Sequence, residues 1–382
     1  MPETVVDVLV VGGGVIGLTS AWFLSQKGLK VAVLDKGQPG MGASWAGAGI
    51  IPPGNFSKGI TPNDKLRGRG AYLHPFLHQE LLEKTGQDNG YRVCGGLEFF
   101  FDGRGPSRDR IDGWEKEGVN FQINGSIGCS PYINLNLTTN SSAVCFPSMA
   151  QVRNPRHLRA LNNAANLSGV AIYPQRTISK LVNNGDRIIS ILTENGDKFH
   201  PEKVLFATGA WTGLWDPVLL GLDTKIQPVR GQMIQFDCPE SINWPIIEVG
   251  KRYMVPRGDG VLLVGSTEEL AGFDSNTTPE GLDELLAFTR SMVPCLANRP
   301  PEKSWAGLRP WSPRGIPFIG PLPGCSNAFI NAGHFRWGLQ FSPAAAEIST
   351  AQIVGQSLNW INMKSFDPVN PPPFEESILF MS

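Results

Sequence analysis

Apolar positions change their spacing sharply within the first forty residues. Residues 5–11 read VVDVLVV, a β-branched run that predicts a buried strand of a parallel sheet. Gly12, Gly14 and Gly17 follow with GxGxxG spacing. Ala21, Phe23 and Leu24 then form the apolar face of a helix that Gly28 ends. Val31–Leu34 predicts a second strand, closing at Asp35. A further buried strand is expected at residues 204–206, running into the small-residue turn Ala207-Thr208-Gly209-Ala210. Residues 176–191 before it read as a hairpin turning at Asn184-Gly185.

Residues 84–146 and 226–303 differ in character. Short strand-like runs such as 253–255 and 261–264 flank the turn Arg257-Gly258-Asp259-Gly260, which predicts an antiparallel sheet. One helix is expected over Pro279–Met292, with Thr278 as N-cap and Pro279 at its first position. Another is expected after Ser342 as N-cap, with Pro343 first and Gly355 as the stop. The expected architecture is α/β and α+β. A Rossmann-like domain takes residues 1–83, 147–225 and 304–382, and an interleaved antiparallel-sheet substrate domain takes 84–146 and 226–303.

Composition removes several function classes. Of 382 residues, 41% are hydrophobic, enough for a sizeable core, and 18% are charged. The net charge of −1 favours neither nucleic acid nor an anionic membrane. No run approaches the ~20 apolar residues of a membrane span. No basic segment precedes the first apolar run, so no signal peptide is read and a cytoplasmic location is expected. The six cysteines, Cys94, Cys129, Cys145, Cys238, Cys295 and Cys325, show no CxxC spacing and read as free thiols. The Asn-x-Ser/Thr sites at Asn55 and Asn140 then carry no meaning. His74 and His78 have helical i, i+4 spacing, but no third ligand accompanies them. They read as polar residues of a surface helix, and no metal is expected. GxSxG, HExxH and P-loop motifs do not occur.

The N-terminal glycines each have a task in nucleotide binding. Gly12 permits a tight turn, Gly14 lets backbone approach a pyrophosphate, and Gly17 lets the helix pack on the strand. Phosphates then face the N–H groups of the helix N-terminus. Asp35 is placed to accept from a ribose hydroxyl. No second glycine fingerprint follows, such as a flavoenzyme reduced by NAD(P)H often carries, and the CxxC of disulfide reductases is missing too. Residues 37–54, GQPGMGASWAGAGIIPPG, are rich enough in Gly and Ala for backbone to lie flat against a planar ligand. Near the other end, NAGHFRWGLQ (331–340) delivers the chain to a helix N-terminus, whose partial positive charge suits a flavin that gains negative charge near N1 and the C2 oxygen. Arg336 or His334 would add to that stabilisation. The competing reading is a core histidine and a surface arginine at a helix start.

Several segments together resemble the FAD-dependent D-amino-acid oxidase family, in particular its glycine oxidase branch. They are VVGGGVIG with Asp35, ATGAWTG, PVRGQMI, YMVPRGDG, VGSTEE, WAGLRPWSPRGIPFIGP and NAGHFRWG, in order along nearly the whole chain. The resemblance implies that Arg309 clamps a substrate carboxylate and that the Tyr253 hydroxyl assists it. It places Ile50 over the flavin, Arg336 and the turn around Gly338 at the pyrimidine edge, and the Ile178 backbone at the adenine. Other expected FAD contacts are Val15, Ile16, Lys36, Ala43, Ser44, Gly47, Ala48 and Gly49. Ala207, Gly209, Trp211, His334, Phe335, Trp337 and Leu339 complete the expected set. No cysteine occupies the position used for covalent attachment in sarcosine-oxidase relatives, so FAD is expected to bind noncovalently. The implied reaction passes a hydride from a small amino acid (glycine, sarcosine or a D-amino acid) to flavin N5, and the imino acid hydrolyses. Oxygen or a quinone would be the acceptor, and self-association stays open. The alternatives are a dehydrogenase using a quinone or protein acceptor, and a nucleotide-binding protein without turnover. Trp337 is larger than the smaller polar residue of the branch pattern, and Trp45 is large for its loop, which bears on the substrate.

Overall fold

The computed structural model describes residues 3–101, 104–124, 142–215, 217–238 and 244–369. Cys129 and Asn140 lie outside them. The first strand, Glu3–Val11, pairs in parallel with Val31–Leu34 on one side and with Lys198–Phe206 on the other. Its inward residues Val8, Leu9 and Val10 are buried on both faces, as a central parallel strand requires. The hairpin Ile178–Asn184 and Arg187–Thr193 extends one edge, and Ala171–Tyr173 the other. Lys198–Phe206 splits its pairing: its start meets the hairpin and its end meets Ala328–Ala332. The helix Val15–Gln26 lies under this sheet, against the helices Asn154–Leu167 and Gly338–Val354, in a core built around Leu18, Trp22, Val33 and Leu161.

The second sheet runs in the order Lys303–Trp311, Gln227–Asp237, Val261–Gly265, Arg252–Pro256, Ile246–Val249, Gly96–Phe100, Ser142–Phe146 and Gln122–Ile123. Its pairs are antiparallel except Ile246–Val249 with Gly96–Phe100, which run parallel. One face packs Ile234, Met254 and Val264 under the helix Pro279–Met292. The other face, with Met233, Tyr253 and Trp305, turns towards the first domain. The helix Pro279–Met292 has the expected bounds, with the Thr278 hydroxyl accepting from Gly281 N.

Three expectations change. The strand Lys303–Trp311 pairs with Gln227–Asp237 from Gln227↔Trp311 to Gln235↔Lys303, so it extends the second sheet to Trp311 instead of opening the last segment of the first domain. The C-terminal helix begins at Gly338, not after Ser342. Pro343 sits inside it without loss, because the Leu339 carbonyl it leaves free accepts from Ser342 Oγ at 2.8 Å and from His74 Nε2 at 3.2 Å. His74 is accordingly fully buried, beside His157, and not on a surface; it lies in the helix Pro62–Thr85, which passes so close that a Cβ on Gly70 would meet Gln340 O at 2.1 Å.

Candidate active site

A cavity of about 760 Å3 runs between the two sheets. Every residue named above for cofactor or substrate lines it except Gly17. Gly17 acts at one remove: a Cβ there would lie 1.8 Å from Gly12 O, so its role is close helix–strand packing. Gly12 needs its φ of +105°, and a Cβ would fall 2.4 Å from Ala207 O. Gly14 is the N-cap of the first helix and brings no capping side chain. Ser44 Oγ accepts from Val15 N at 2.9 Å, and Gly14, Val15 and Ile16 bring the start of the helix to the cavity wall. The short helix Ala43–Ala46 and residues 47–50 form one wall, with Asn154 Nδ2 holding the Ser44 carbonyl. Trp45 does not line the cavity and makes an edge contact with Trp305 at 5.5 Å.

Backbone N–H groups anchor the Asp35 carboxylate at one end of the cavity. Asp35 accepts from Gly13 N at 2.7 Å through Oδ2 and from Gly37 N at 2.8 Å through Oδ1. Each oxygen keeps lone pairs for a ribose hydroxyl. The Lys36 ammonium lies 3.6 Å from the Trp211 ring centroid, and burial lowers its pKa. Arg176, Thr177 and Trp215 also line this end; no local motif singles them out.

At the other end the chain leaves Ala328–Ala332 through Gly333 into a short 3-10 turn, Phe335–Trp337, and the helix from Gly338. Phe335 holds a left-handed φ of 48°, a conformation that costs a non-glycine residue about 1–3 kcal/mol. His334 is buried, its Nε2 has no partner among the described residues, and burial lowers its pKa to about 3; it enters the site neutral. Arg336 is not an isolated surface arginine. It pairs with Glu268, whose burial alone would raise the pKa; the Arg336 hydrogen bond and charge outweigh that and lower it. Trp337 stacks on Phe341 at 6.2 Å.

The substrate end is built on the second sheet. Directly paired residues share a face, so one row crosses it: Glu98, Glu248, Tyr253, Gly265, Met233 and Trp305. Arg309 reaches over this row. Its Nη2 donates to Ser266 Oγ at 2.7 Å and its Nη1 to the Thr267 carbonyl at 3.2 Å. It makes no ion pair among the described residues, and burial lowers its pKa while nearby Tyr253 raises it. The Tyr253 hydroxyl donates to Met233 Sδ at 3.2 Å. Glycines hollow out the floor: a Cβ on Gly231 would lie 2.2 Å from the Arg309 guanidinium, and one on Gly265 2.1 Å from Met233 Sδ. A network behind them, with Arg230 on Glu269 and Asp274 and Thr267 on Glu269, holds the loop that carries Thr267. Gly231, Ser266, Thr267 and Glu248 were not among the expected site residues; a glycine inside a strand was the available signal for the first.

No helix of the described residues is long and apolar enough to cross a membrane. Comparison with known proteins agrees with the geometry. The family model described as FAD dependent oxidoreductase matches residues 7–352. The chain is 35% identical over 346 residues to a glycine oxidase of Pseudomonas aeruginosa, covering 89% of this chain and 93% of that one. It is 34% identical over 354 residues to a glycine oxidase of Pseudomonas putida, covering 91% and 94%. The crystal structure of glycine oxidase from Geobacillus kaustophilus matches with a TM-score of 0.86 at 26% identity, covering 96% of this chain and 99% of that one. That of iminodiacetate oxidase from Chelativorans sp. BNC1 matches with a TM-score of 0.80 at 26% identity, covering 94% and 98%. With the glycine turn, the uncapped helix start and the Asp35 carboxylate arranged for a dinucleotide, this chain belongs to the FAD dependent oxidoreductase family and is an FAD enzyme with a Rossmann-like cofactor domain.

Proposed function

We propose that the protein is an amino-acid oxidase of the glycine oxidase type. It oxidises the C–N bond of a small amino acid, such as glycine, sarcosine or a D-amino acid, to an imino acid that hydrolyses, with oxygen as acceptor. The observation that carries this reading is Arg309: a guanidinium in the cavity wall that makes no ion pair among the described residues, with Glu268 acting on it only through space. A substrate carboxylate completes it with two parallel hydrogen bonds, which fix the α-carbon as well as the charge. The names of the relatives, glycine oxidase and iminodiacetate oxidase, point to the same substrate chemistry.

FAD, when bound, supplies the two-electron acceptor. The chain's own residues do the rest by position. Ser266 and Thr267 hold the Arg309 fork, and Gly231 leaves room for it. The Tyr253 hydroxyl, resting on a weak sulfur acceptor, is available to the substrate carboxylate. Ile50, Met233 and Trp337 line the cavity with apolar surface that excludes water. The N-terminus of the helix Gly338–Val354 presents its partial positive charge where the resemblance places the pyrimidine edge.

Arg309→Ala tests the reading. Removing one member of a buried charge pair costs about 2–5 kcal/mol, or roughly 30- to a few thousand-fold in the bimolecular rate of anaerobic flavin reduction. Arg309→Lys recovers part of the loss. Amino acids bleach the flavin in the parent protein and their methyl esters do not. Equal rates for acid and ester in the parent, or an acid preference that survives in Arg309→Ala, refutes the clamp.

A further inference from the structure

The substrate end of the cavity holds a carboxyl group that makes no hydrogen bond or ion pair with any described residue. Glu248 lines the cavity from the strand Ile246–Val249, directly opposite Tyr253 and on the same sheet face. On its other side is Glu98, but that carboxylate is occupied by a two-point pair with Arg110 at 2.9 and 2.8 Å. The Arg336 cation is engaged by Glu268. Tyr253 leans the other way, towards Met233. Past the Glu248–Tyr253 pair, the exposed hairpin turn Gly250-Lys251 also lines the cavity and marks its mouth. Glu248 therefore stands between the Arg309 clamp and the solvent, along the path of any substituent longer than the amino-acid head.

We infer that Glu248 selects substrates whose substituent ends in a second, positively charged amine, so that an N-substituted glycine with a terminal ammonium is preferred over its neutral isostere. The inference rests on the amino-acid oxidase reading of the site. A half-buried cavity-wall carboxyl without a partner among the described residues is a recognition element for a cation, because an ammonium gives it both the charge and the donors that the protein withholds. Burial, and then the charge of Glu98, push the Glu248 pKa up to about 8, with Arg110 and Arg336 pulling the other way. Lys251 and Arg252 are the other cations lining this end; Arg252 is paired with Glu284, and the exposed position of Lys251 lets solvent screen it. Burial favours the protonated carboxyl in the empty pocket, and an entering ammonium restores the carboxylate with release of a proton. The preference therefore steepens as pH rises towards 8.

The test is anaerobic single-turnover reduction of the holoenzyme by N-(2-aminoethyl)glycine, N-propylglycine and iminodiacetate, resolved into apparent Kd and limiting rate. The first two are near-isosteric and differ in terminal charge. The parent is expected to favour N-(2-aminoethyl)glycine by about 10- to 100-fold, chiefly in Kd, the range of a hydrogen bond between charged groups. Glu248→Gln and Glu248→Met bring that ratio to within about threefold of one; the ratio, not either rate, is the readout. A parent that takes N-propylglycine or iminodiacetate at least as well overturns the inference and leaves the oxidase reading standing. So does a ratio that persists in both variants. A parent reduced by none of these, nor by glycine, sarcosine or small D-amino acids such as D-alanine, overturns both.

Discussion

Gly231→Ala adds one methyl group to the middle of a strand and is expected to disable the substrate clamp without touching it chemically. The added Cβ would lie 2.2 Å from both Arg309 Nη atoms and 2.3 Å from Cζ. Ordinary carbon contacts begin near 3.4 Å. The guanidinium must therefore retreat by roughly 1 Å, a displacement that can cost on the order of a hundredfold in rate when it misplaces reacting groups. Retreat also strains the bonds to Ser266 Oγ at 2.7 Å and the Thr267 carbonyl at 3.2 Å, which fix the fork. The ceiling is the loss of the buried pair itself, about 2–5 kcal/mol. We expect flavin reduction by glycine to slow by roughly 30- to 1,000-fold. FAD content should stay near that of the parent, because the expected pyrophosphate and adenosine contacts lie on the other domain. Stopped-flow reduction measures the first, and the absorbance ratio of flavin to protein the second. A double-mutant cycle sharpens the claim. If both changes act through one guanidinium, Gly231→Ala adds little to Arg309→Ala. Parent-like reduction in Gly231→Ala, or full additivity in the double variant, refutes the reasoning.

Asp35→Ala removes the acceptor of Gly13 N and Gly37 N as well as of a ribose hydroxyl, and should weaken FAD binding by about 1–3 kcal/mol in a fluorescence titration; unchanged affinity removes Asp35 from the site. Mild acid or heat should release intact FAD into the supernatant, and flavin that stays with the precipitate contradicts noncovalent binding. Burial lowers His74 to about 4, His157 to about 3 and His334 to about 3, so the unfolded chain binds protons that the native one refuses. These depressed values stabilise the fold above about pH 6.5. The contribution is lost as pH falls towards 4, by about 1.4 kcal/mol per pH unit for each histidine. Tm should drop markedly between pH 7 and pH 5, and a flat profile contradicts the buried neutral assignments.

What was legible in the sequence depended on how far away the deciding partner lay. The GxGxxG turn, the hairpin at Gly185 and the Thr278 cap are set by residues within a few positions of one another, and the structure keeps them. The strand Lys303–Trp311 carries no mark of its sheet; its place is decided by Gln227–Asp237, some seventy-five residues earlier. Pro343 reads as a helix start because local rules forbid proline deeper in. Its tolerance there comes partly from Ser342 and partly from His74, some 270 residues away. The same contact buries a histidine whose helical spacing alone suggested a surface. Glu248 shows the limit most plainly. In the local run IIEVG it alternates like any solvent-facing residue of a half-buried strand, and only the register with Glu98 and Tyr253 turns it into the wall of a cavity. Glycines are the exception that crosses this distance. Gly231, Gly265 and Gly307 each weaken a strand that would be more stable with a side chain. In each case the missing Cβ would meet a residue distant in sequence, Arg309, Met233 or Ala46. A glycine where strand propensity argues against it therefore reports a close approach before the partner is known, and three on one face of neighbouring strands, two of them directly paired, report a floor.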